Sequence, residues 1–300
     1  MLRRILVPLD GTVFSEQALP WAVSVANRSG AAIHLATVEV PPPMAFPDVN
    51  FLPSLRDAEL AYLDGVADRL RGAGVAEVDV EVLNGNAPDA LEEHRRQIQA
   101  DVTVMATHGR GPVARSWLGS VADQFVRATA APVLMIRPGE TDGPVDLTSL
   151  PVVERIVLTL DGSAVSESAI EPTIALADLY GAHTTLVRVI EYPHHTESVY
   201  LPDMVEAVED RLEESRKATD DELGRMATQL STNGTSIDQE TRVVIHAAEG
   251  ILDIAAERGA DIVAMASHGR TGIRRAVVGS VTDKVLRGSD RPVFIVRAET

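Results

Sequence analysis

Two copies of one pattern make up the sequence, and this duplication constrains the fold more than any other feature. An Asp-Gly motif recurs after 151 positions, whereas a His-Gly-Arg motif and a Gly-Ser motif recur after 160 positions. The second copy therefore carries nine extra residues between its Asp-Gly and His-Gly-Arg motifs. A repeat of this length is a duplicated domain rather than a solenoid unit. Three hundred residues also suit two domains of ordinary size. The matching pairs are Asp10 and Asp161, His108 and His268, and Gly119 and Gly279.

A segment rich in turn-forming and charged residues separates the copies. Residues 138–144 contain two prolines and two glycines together with acidic residues, a composition typical of a linker. We therefore expect a first domain over residues 1–140 and a second over residues 152–300.

Short apolar runs alternate with segments of helical periodicity in both copies. Runs such as Ile5–Val7 and Ile156–Leu158 are typical of strands buried on both faces. Gly30 and Gly181 follow the first helical segments as stop signals. Strands separated by helices predict an α/β fold with two tandem open parallel five-stranded sheets flanked by helices, Rossmann-like in character. The expected strands cover 5–7, 33–38, 78–82, 102–105 and 133–136, then 156–158, 184–189, 241–245, 262–265 and 293–296.

Composition excludes several classes of function. The absence of cysteine excludes disulfides, thiolate metal sites and cysteine nucleophiles. A net charge of −17 opposes general binding to nucleic acid or anionic membranes. No apolar run approaches the ~20 residues of a membrane span, and the N-terminal apolar run is too short for a signal peptide. We expect a cytoplasmic protein.

The segment after each fourth strand has the features of a phosphate cradle. The first copy continues from Ala106 into His108-Gly109-Arg110, and Gly119-Ser120 then opens a helical pattern. Small residues let backbone N–H groups approach an anion, and a helix start adds unpaired donors and a positive dipole end. The alternative is that each Gly-Ser pair is only a turn whose serine caps a helix. The second copy repeats the pattern with Ala266, His268, Gly269, Arg270, Gly279 and Ser280.

These two loops are locally basic in an acidic chain. A small basic island at the carboxyl end of a strand suits an anionic ligand, although such charges often form only a solvated face. A lone histidine is more often structural than catalytic, and neither His108 nor His268 has a recognisable nucleophile and base beside it in the sequence. The cations are Arg110 and Arg115 in the first loop and Arg270, Arg274 and Arg275 in the second.

Asp10 and Asp161 end the first strands, so we expect them at the same sheet edge as the cradles. Either aspartate could coordinate a divalent cation that bridges phosphates, or accept a ribose hydroxyl. Alternatively, each Asp-Gly pair is a turn whose acid caps the next helix. Both roles could hold together.

These motifs resemble the tandem form of the universal stress protein family over nearly the whole chain. The family motif is Gly, two residues, Gly, nine residues, Gly, then Ser or Thr, and the first Gly is replaced here by Ala106 and Ala266. The resemblance implies ATP with Mg²⁺ at the strand ends, with Asp10 near ribose and the phosphate-bound metal. It also implies that the backbones of Val38 and Val189 read adenine. The Gly85-Asn86 turn matches a family turn that borders the nucleotide, and the second copy lacks it.

The nucleotide-binding set implied for the first copy is Asp10, Val38, Ala106, His108, Gly109, Arg110, Gly119, Ser120 and Val121. The corresponding set in the second copy is Asp161, Val189, Ala266, His268, Gly269, Arg270, Gly279, Ser280 and Val281.

The resemblance further implies a stress-response regulator that binds ATP and is non-catalytic or a very slow ATPase. Its expected partners are an adenine nucleotide and a regulatory protein, with the two domains paired within the chain and a further homodimer. Two alternatives remain at this stage. One is a slow ATP hydrolase or phosphotransferase, which needs a base such as His108 or Asp10. The other is a nucleotide-free scaffold that binds a partner protein.

Overall fold

The computed structural model describes residues 2–39, 51–107, 119–139, 143–192, 202–231, 236–267 and 279–298. Within these ranges the chain forms two compact units, one built mainly on the residues up to Val152 and the other mainly on those that follow. Residues 143–154 form neither helix nor strand. None of the helices in the described ranges is both long enough and apolar enough to cross a membrane.

The first unit is an open parallel sheet with helices in the crossovers. Its strand order is β3-β2-β1-β4-β5, and each neighbouring pair is parallel. The strand order therefore reverses between β1 and β4. The elements are β1 (Arg4–Pro8), α1 (Val13–Glu16), α2 (Leu19–Ser29), β2 (Ala32–Glu39), α3 (Phe51–Gly72), β3 (Val78–Asn84), α4 (Ala87–Ile98), β4 (Val102–Ala106), α5 (Ser120–Ala128) and β5 (Val133–Ile136).

The second repeat has the same order of elements. Its strands follow the order β8-β7-β6-β9-β10, and the Val263 N–H donates to the carbonyl of Pro292 (3.0 Å), just before β10. The elements are β6 (Arg155–Thr159), α6 (Ala164–Glu167), α7 (Ile170–Tyr180), β7 (His183–Glu191), α8 (Pro202–Leu230), β8 (Ile237–Val244), α9 (Ala247–Glu257), β9 (Ile262–Ser267), α10 (Ser280–Gly288) and β10 (Val293–Arg297). The predicted α/β fold class is confirmed.

Apolar strands with helices on their faces make the core of each unit. The predicted runs 5–7 and 156–158 are buried, with at most 1% of each residue exposed. Phe125 of α5 is completely buried as well. Gly30 and Gly181 end α2 and α7 in the left-handed conformation (φ +72° and +68°), as the sequence predicts. Glycine adopts that conformation without the steric penalty of a Cβ.

The helix expected after each first strand is divided in two. In the first unit α1 ends at Glu16 and α2 begins at Leu19, with Pro20 in its first turn. A proline ring clashes with the carbonyl four residues earlier, here that of Glu16, so the helix cannot run straight through. Pro172 stands in the same relation to Ser168, where α6 has just ended.

The third strand of the second copy begins earlier than expected. The sequence predicts residues 241–245, but β8 covers Ile237–Val244 and leaves Ile245 outside the strand, 63% exposed. The first half of β8 is polar, and its acids bind arginines: Arg258 contacts both Asp238 (2.8 Å) and Glu240 (2.7 Å). Charged residues on an outermost strand discourage edge-to-edge pairing with other sheets. Because the first half of β8 is polar, it has no apolar run from which its start could be predicted.

Candidate functional site

The loop that follows β1 is held by a compact set of hydrogen bonds around Asp10. Its Oδ1 accepts from the backbone N–H (3.0 Å) and the hydroxyl (2.6 Å) of Thr12, and its own N–H donates to Ser15 Oγ (3.2 Å). Thr12 also caps α1, since its Oγ1 accepts from the Ser15 N–H (3.2 Å). One carboxylate oxygen of Asp10 is therefore part of the turn, which fixes the direction of the side chain.

The second repeat builds the same loop from the same positions. Asp161 Oδ1 accepts from the Ser163 N–H (2.9 Å), and the Asp161 N–H donates to Ser166 Oγ (3.2 Å). Ser163 caps α6 by accepting from the Ser166 N–H (3.1 Å). The expectation that the aspartates cap the next helix is therefore wrong: each aspartate holds the turn, and the residue two positions later, Thr12 or Ser163, caps the helix. The sequence analysis missed the serine five residues after each aspartate, although its recurrence at Ser15 and Ser166 was a usable signal.

A glycine with a left-handed backbone follows each aspartate. Gly11 has a φ of +77° and Gly162 a φ of +81°, a region that side chains other than glycine enter at a cost. In the second repeat the bend is also crowded, because a Cβ at Gly162 would lie 3.2 Å from the guanidinium carbon of Arg188. Arg188 is buried in β7 and forms an ion pair with Glu222 (3.0 Å).

Small residues mark the point where β4 ends and α5 begins. Ala106 is the last residue of β4 and is 8% exposed, so its methyl group is accommodated within the sheet. Gly119, rather than Ser120, is the N-cap of α5, and its N–H donates to the carbonyl of Thr107 (2.5 Å). Ser120 occupies the first helical position and is exposed, and Val121 follows with 37% of its surface exposed.

This geometry changes which groups could bind an anion. The Gly119 N–H already has a protein acceptor. The N–H groups of Ser120, Val121 and Ala122 head the helix, where the α-helical pattern supplies no acceptor. The expectation that each serine acts as N-cap is therefore wrong for Ser120, because the chain turns at the glycine. Its hydroxyl lies at the start of the helix.

The second repeat has the same turn. Gly279 is the N-cap of α10, and Ser280 is its first helical residue, so the N-cap expectation is wrong here too. Ala266 lies inside β9, and its carbonyl accepts from the Thr282 hydroxyl (3.3 Å), which ties the first turn of α10 to the strand end. Val281 is half-buried.

Strand pairing brings the aspartate loops and the fourth-strand ends to one edge of each sheet. In the first unit Leu6 pairs with Thr103, so continuing the register places Asp10 level with Thr107. Neighbouring strands lie ~4.8 Å apart. The pairing of β6 with β9 places Asp161 in the same way. In open α/β sheets this carboxyl edge, where the strand order reverses, is where ligands bind.

The two residues expected to read adenine lie near the ends of the second strands. Val38 and Val189 are half-buried, and the strands continue beyond them, to Glu39 in β2 and to Glu191 in β7. The adjacent turns differ between the repeats. Gly85 leads into α4 with a φ of +117°, and a Cβ there would meet open space.

The corresponding turn in the second repeat is built differently. His246 is the N-cap of α9, and the Glu191 carboxylate accepts from the N–H of Ala247 (2.8 Å). The protein's own acid therefore occupies the N-terminus of α9, and the two repeats differ at this turn.

The remaining predicted site residues lie outside the described ranges. They are His108, Gly109, Arg110, His268, Gly269 and Arg270, together with Arg115, Arg274 and Arg275 of the predicted basic islands.

The donor set at Asp10 is compatible with magnesium held mainly by a nucleotide. Across the described parts of the chain, no three acidic or histidine side chains gather to form a metal site. Mg²⁺ is commonly bound through one or two carboxylates together with substrate phosphates and water. A single aspartate beside a phosphate cradle fits that pattern, with the phosphates as the principal ligands.

The fold and the repeated edge site define a tandem α/β protein of Rossmann-like type. The family model described as the universal stress protein family matches residues 1–137 and 153–297. The chain belongs to the universal stress protein family.

Relatives and solved structures agree with this assignment. A universal stress protein of Mycobacterium tuberculosis is 28% identical, with 98% of this chain and 94% of the relative covered. The universal stress protein Slr1230 of Synechocystis is 24% identical, with 99% and 100% covered. The crystal structure of a universal stress protein from Archaeoglobus fulgidus has the same fold, with a TM-score of 0.73 at 17% identity and 98% of each chain covered.

Proposed function

We propose that the protein is an ATP-binding regulator of the stress response that uses nucleotide occupancy rather than turnover. The observation that carries this proposal is the same edge site in both repeats. In each repeat a rigid aspartate loop and a glycine-capped helix start lie at the carboxyl edge of neighbouring strands. If these segments were only structural turns, the aspartate loop and the glycine-capped helix start would not both need to recur in the second repeat at the same sheet edge.

Each part of the first site has a role that follows from its chemistry. The N–H groups of Ser120 and Val121, at the positive end of α5, would hold phosphate oxygens. Gly109 and Arg110, by analogy with the family motif, would complete the cradle with backbone donors and a cation. Asp10 would accept a ribose hydroxyl or assist Mg²⁺ through its carboxylate. Magnesium, when bound, would neutralise phosphate charge.

The aspartate loop favours binding over catalysis. A general base needs a carboxylate that is placed to accept a proton. Asp10 Oδ1 already accepts two hydrogen bonds from Thr12, so this oxygen is engaged in the turn rather than placed to take a proton from an attacking water. We therefore propose that turnover, if measurable, is very slow.

The two sites are proposed to differ in affinity. The first site has the open Gly85 turn, whereas the second has the Glu191 carboxylate at the start of α9. A carboxylate near the base edge adds negative charge beside an already anionic ligand. We expect the first site to bind ATP more tightly than the second.

Mass spectrometry of ligand released from the purified, denatured chain is the first test. An adenine nucleotide, together with ATP binding by calorimetry in the presence of Mg²⁺, would support the proposal. The absence of both a released nucleotide and a calorimetric signal on adding ATP would refute the proposal and favour a nucleotide-free scaffold. Rapid release of phosphate that is lost in Asp10→Ala would instead favour the hydrolase.

A further inference from the structure

The segment that joins the two repeats is fastened to the first unit close to the Asp10 loop. We call its described parts, residues 137–139 and 143–151, the joining segment. The Gln17 side-chain amide makes a two-way contact with Gly139: Nε2 donates to the carbonyl (2.9 Å), and Oε1 accepts from the N–H (2.7 Å). Further along, the Ser24 hydroxyl donates to the carbonyl of Pro151 (2.6 Å). The joining segment is thus docked at both ends.

A third attachment passes through a buried acid. Arg69 of α3 donates to the Val145 carbonyl through Nη2 (3.2 Å) and to the Glu16 carboxylate through Nη1 (2.7 Å). Glu16 is 8% exposed and also accepts from the Tyr62 hydroxyl (3.0 Å). Burial, and then the negative charge of Glu16, raise the pKa of Tyr62, so the phenol stays a donor at neutral pH. The guanidinium therefore joins Glu16 directly to the joining segment.

Helix α1 connects these attachments to the aspartate loop. It begins after Thr12, which holds Asp10, and it ends at Glu16 and Gln17, which hold the joining segment. The four residues of α1 and the Gln17 cap together span only ~8 Å, so a rotation or shift of the loop is transmitted directly to these side chains. The loop and the joining segment are two ends of one short rigid piece.

The second repeat lacks this connection. Ser168 stands where Gln17 stands in the first repeat, and its hydroxyl donates to Val165 of the same helix (2.6 Å). Glu167, the counterpart of Glu16, is exposed. The aspartate loop uses the same positions in both repeats, so the side chains at the end of α1 are what distinguishes the first unit.

We propose that docking of the joining segment regulates the first site through α1. The docked segment holds the Asp10 loop in one arrangement, and a nucleotide on that loop stabilises the docked segment in return. The nucleotide half of this inference rests on the proposed function, whereas the link between loop and segment does not. Because binding free energies are linked, the factor by which release of the segment weakens nucleotide binding equals the factor by which nucleotide stabilises docking.

The first experiment tests the link without nucleotide, by hydrogen exchange of peptides spanning residues 137–151. Thr12→Ala removes the hydroxyl bond to Asp10 and the cap of α1, and we expect faster exchange in the joining segment by about tenfold, comparable to other couplings of this kind. Thr12→Ser should restore slow exchange, since serine serves at the same position in the second repeat. Peptides from β4 serve as the reference for global unfolding. Unchanged exchange in Thr12→Ala would overturn the inference.

The second experiment measures ATP affinity by calorimetry in the full chain. Gln17→Ala should release the Gly139 end of the joining segment and weaken binding at the first site about fivefold, within the usual range of couplings. Ser168→Ala is the matched control and should leave the affinity unchanged. Equal affinity for Gln17→Ala and the parent protein, with the segment shown to be released, would overturn the inference. Absence of any ATP binding, with the Thr12→Ala effect present, would refute only the proposed function.

Discussion

Gly119→Asp separates the proposed nucleotide site from the stability of the fold. Gly119 is the N-cap of α5 with φ −62° and ψ 146°, an extended backbone that any residue adopts without strain. Aspartate is among the best N-cap residues, so the variant should fold at least as stably as the parent protein. Its carboxylate would lie at the start of the helix, where the phosphates are proposed to bind.

The expected loss of affinity follows from simple electrostatics. Two unit charges about 5 Å apart at an effective dielectric of about 20 repel each other by roughly 3 kcal/mol. Solvent at the exposed helix start reduces this value, so we expect ATP to bind about 30- to 100-fold more weakly, equivalent to about 2–3 kcal/mol. Calorimetric titration with ATP and Mg²⁺ measures this change directly.

Gly119→Asn provides the matched control. Asparagine has nearly the same shape and is an equally good cap, but it carries no charge, so affinity should change by less than about threefold. Urea denaturation of both variants checks that each one folds. Undiminished ATP affinity in a folded Gly119→Asp would refute the assignment of the phosphates to this helix start. An equal loss in both variants would show that the effect is steric.

Three further predictions concern stability and are measured by denaturation. Gly162→Ala should cost about 1–2 kcal/mol, because its φ is +81° and the new Cβ would lie 3.2 Å from the Arg188 guanidinium; an unchanged urea midpoint would contradict this. Phe125→Ala should cost about 3–5 kcal/mol since the ring is fully buried, and a loss below about 1 kcal/mol would contradict that burial. Burial lowers the pKa of His34 and of His94, and at His34 the nearby Asp79 carboxylate partly opposes the shift. Because the unfolded chain takes up protons on these histidines at a higher pH than the folded chain, the free energy of unfolding decreases as the pH falls below their usual pKa of 6.5 and is unaffected by them above it. Tm should therefore be lower at pH 5.5 than at pH 7.5, and His94→Gln should make Tm depend less on pH.

Much of the edge site was predictable because its signals are local. An aspartate and a glycine after an apolar run predict a turn, and the Gly-Ser pair before a helical pattern predicts a helix start. Which residue is the N-cap of α5 was not predictable from the sequence of this segment. Either Gly119 or Ser120 could have ended the turn, and the choice was made by the hydrogen bond from the Gly119 N–H to the carbonyl of Thr107, the residue after β4.

The sequence by itself determined the duplicated α/β architecture, since apolar runs and helical spacing record which residues must be buried. It also determined which residue types end the strands. Only the tertiary structure showed that Gln17 and Arg69 hold the joining segment beside the Asp10 loop. Those partners lie 122 and 76 positions away along the chain, and polar contacts at such separation leave no periodic pattern in a sequence. They form because folding places distant backbone carbonyls next to donors that would otherwise lose their water.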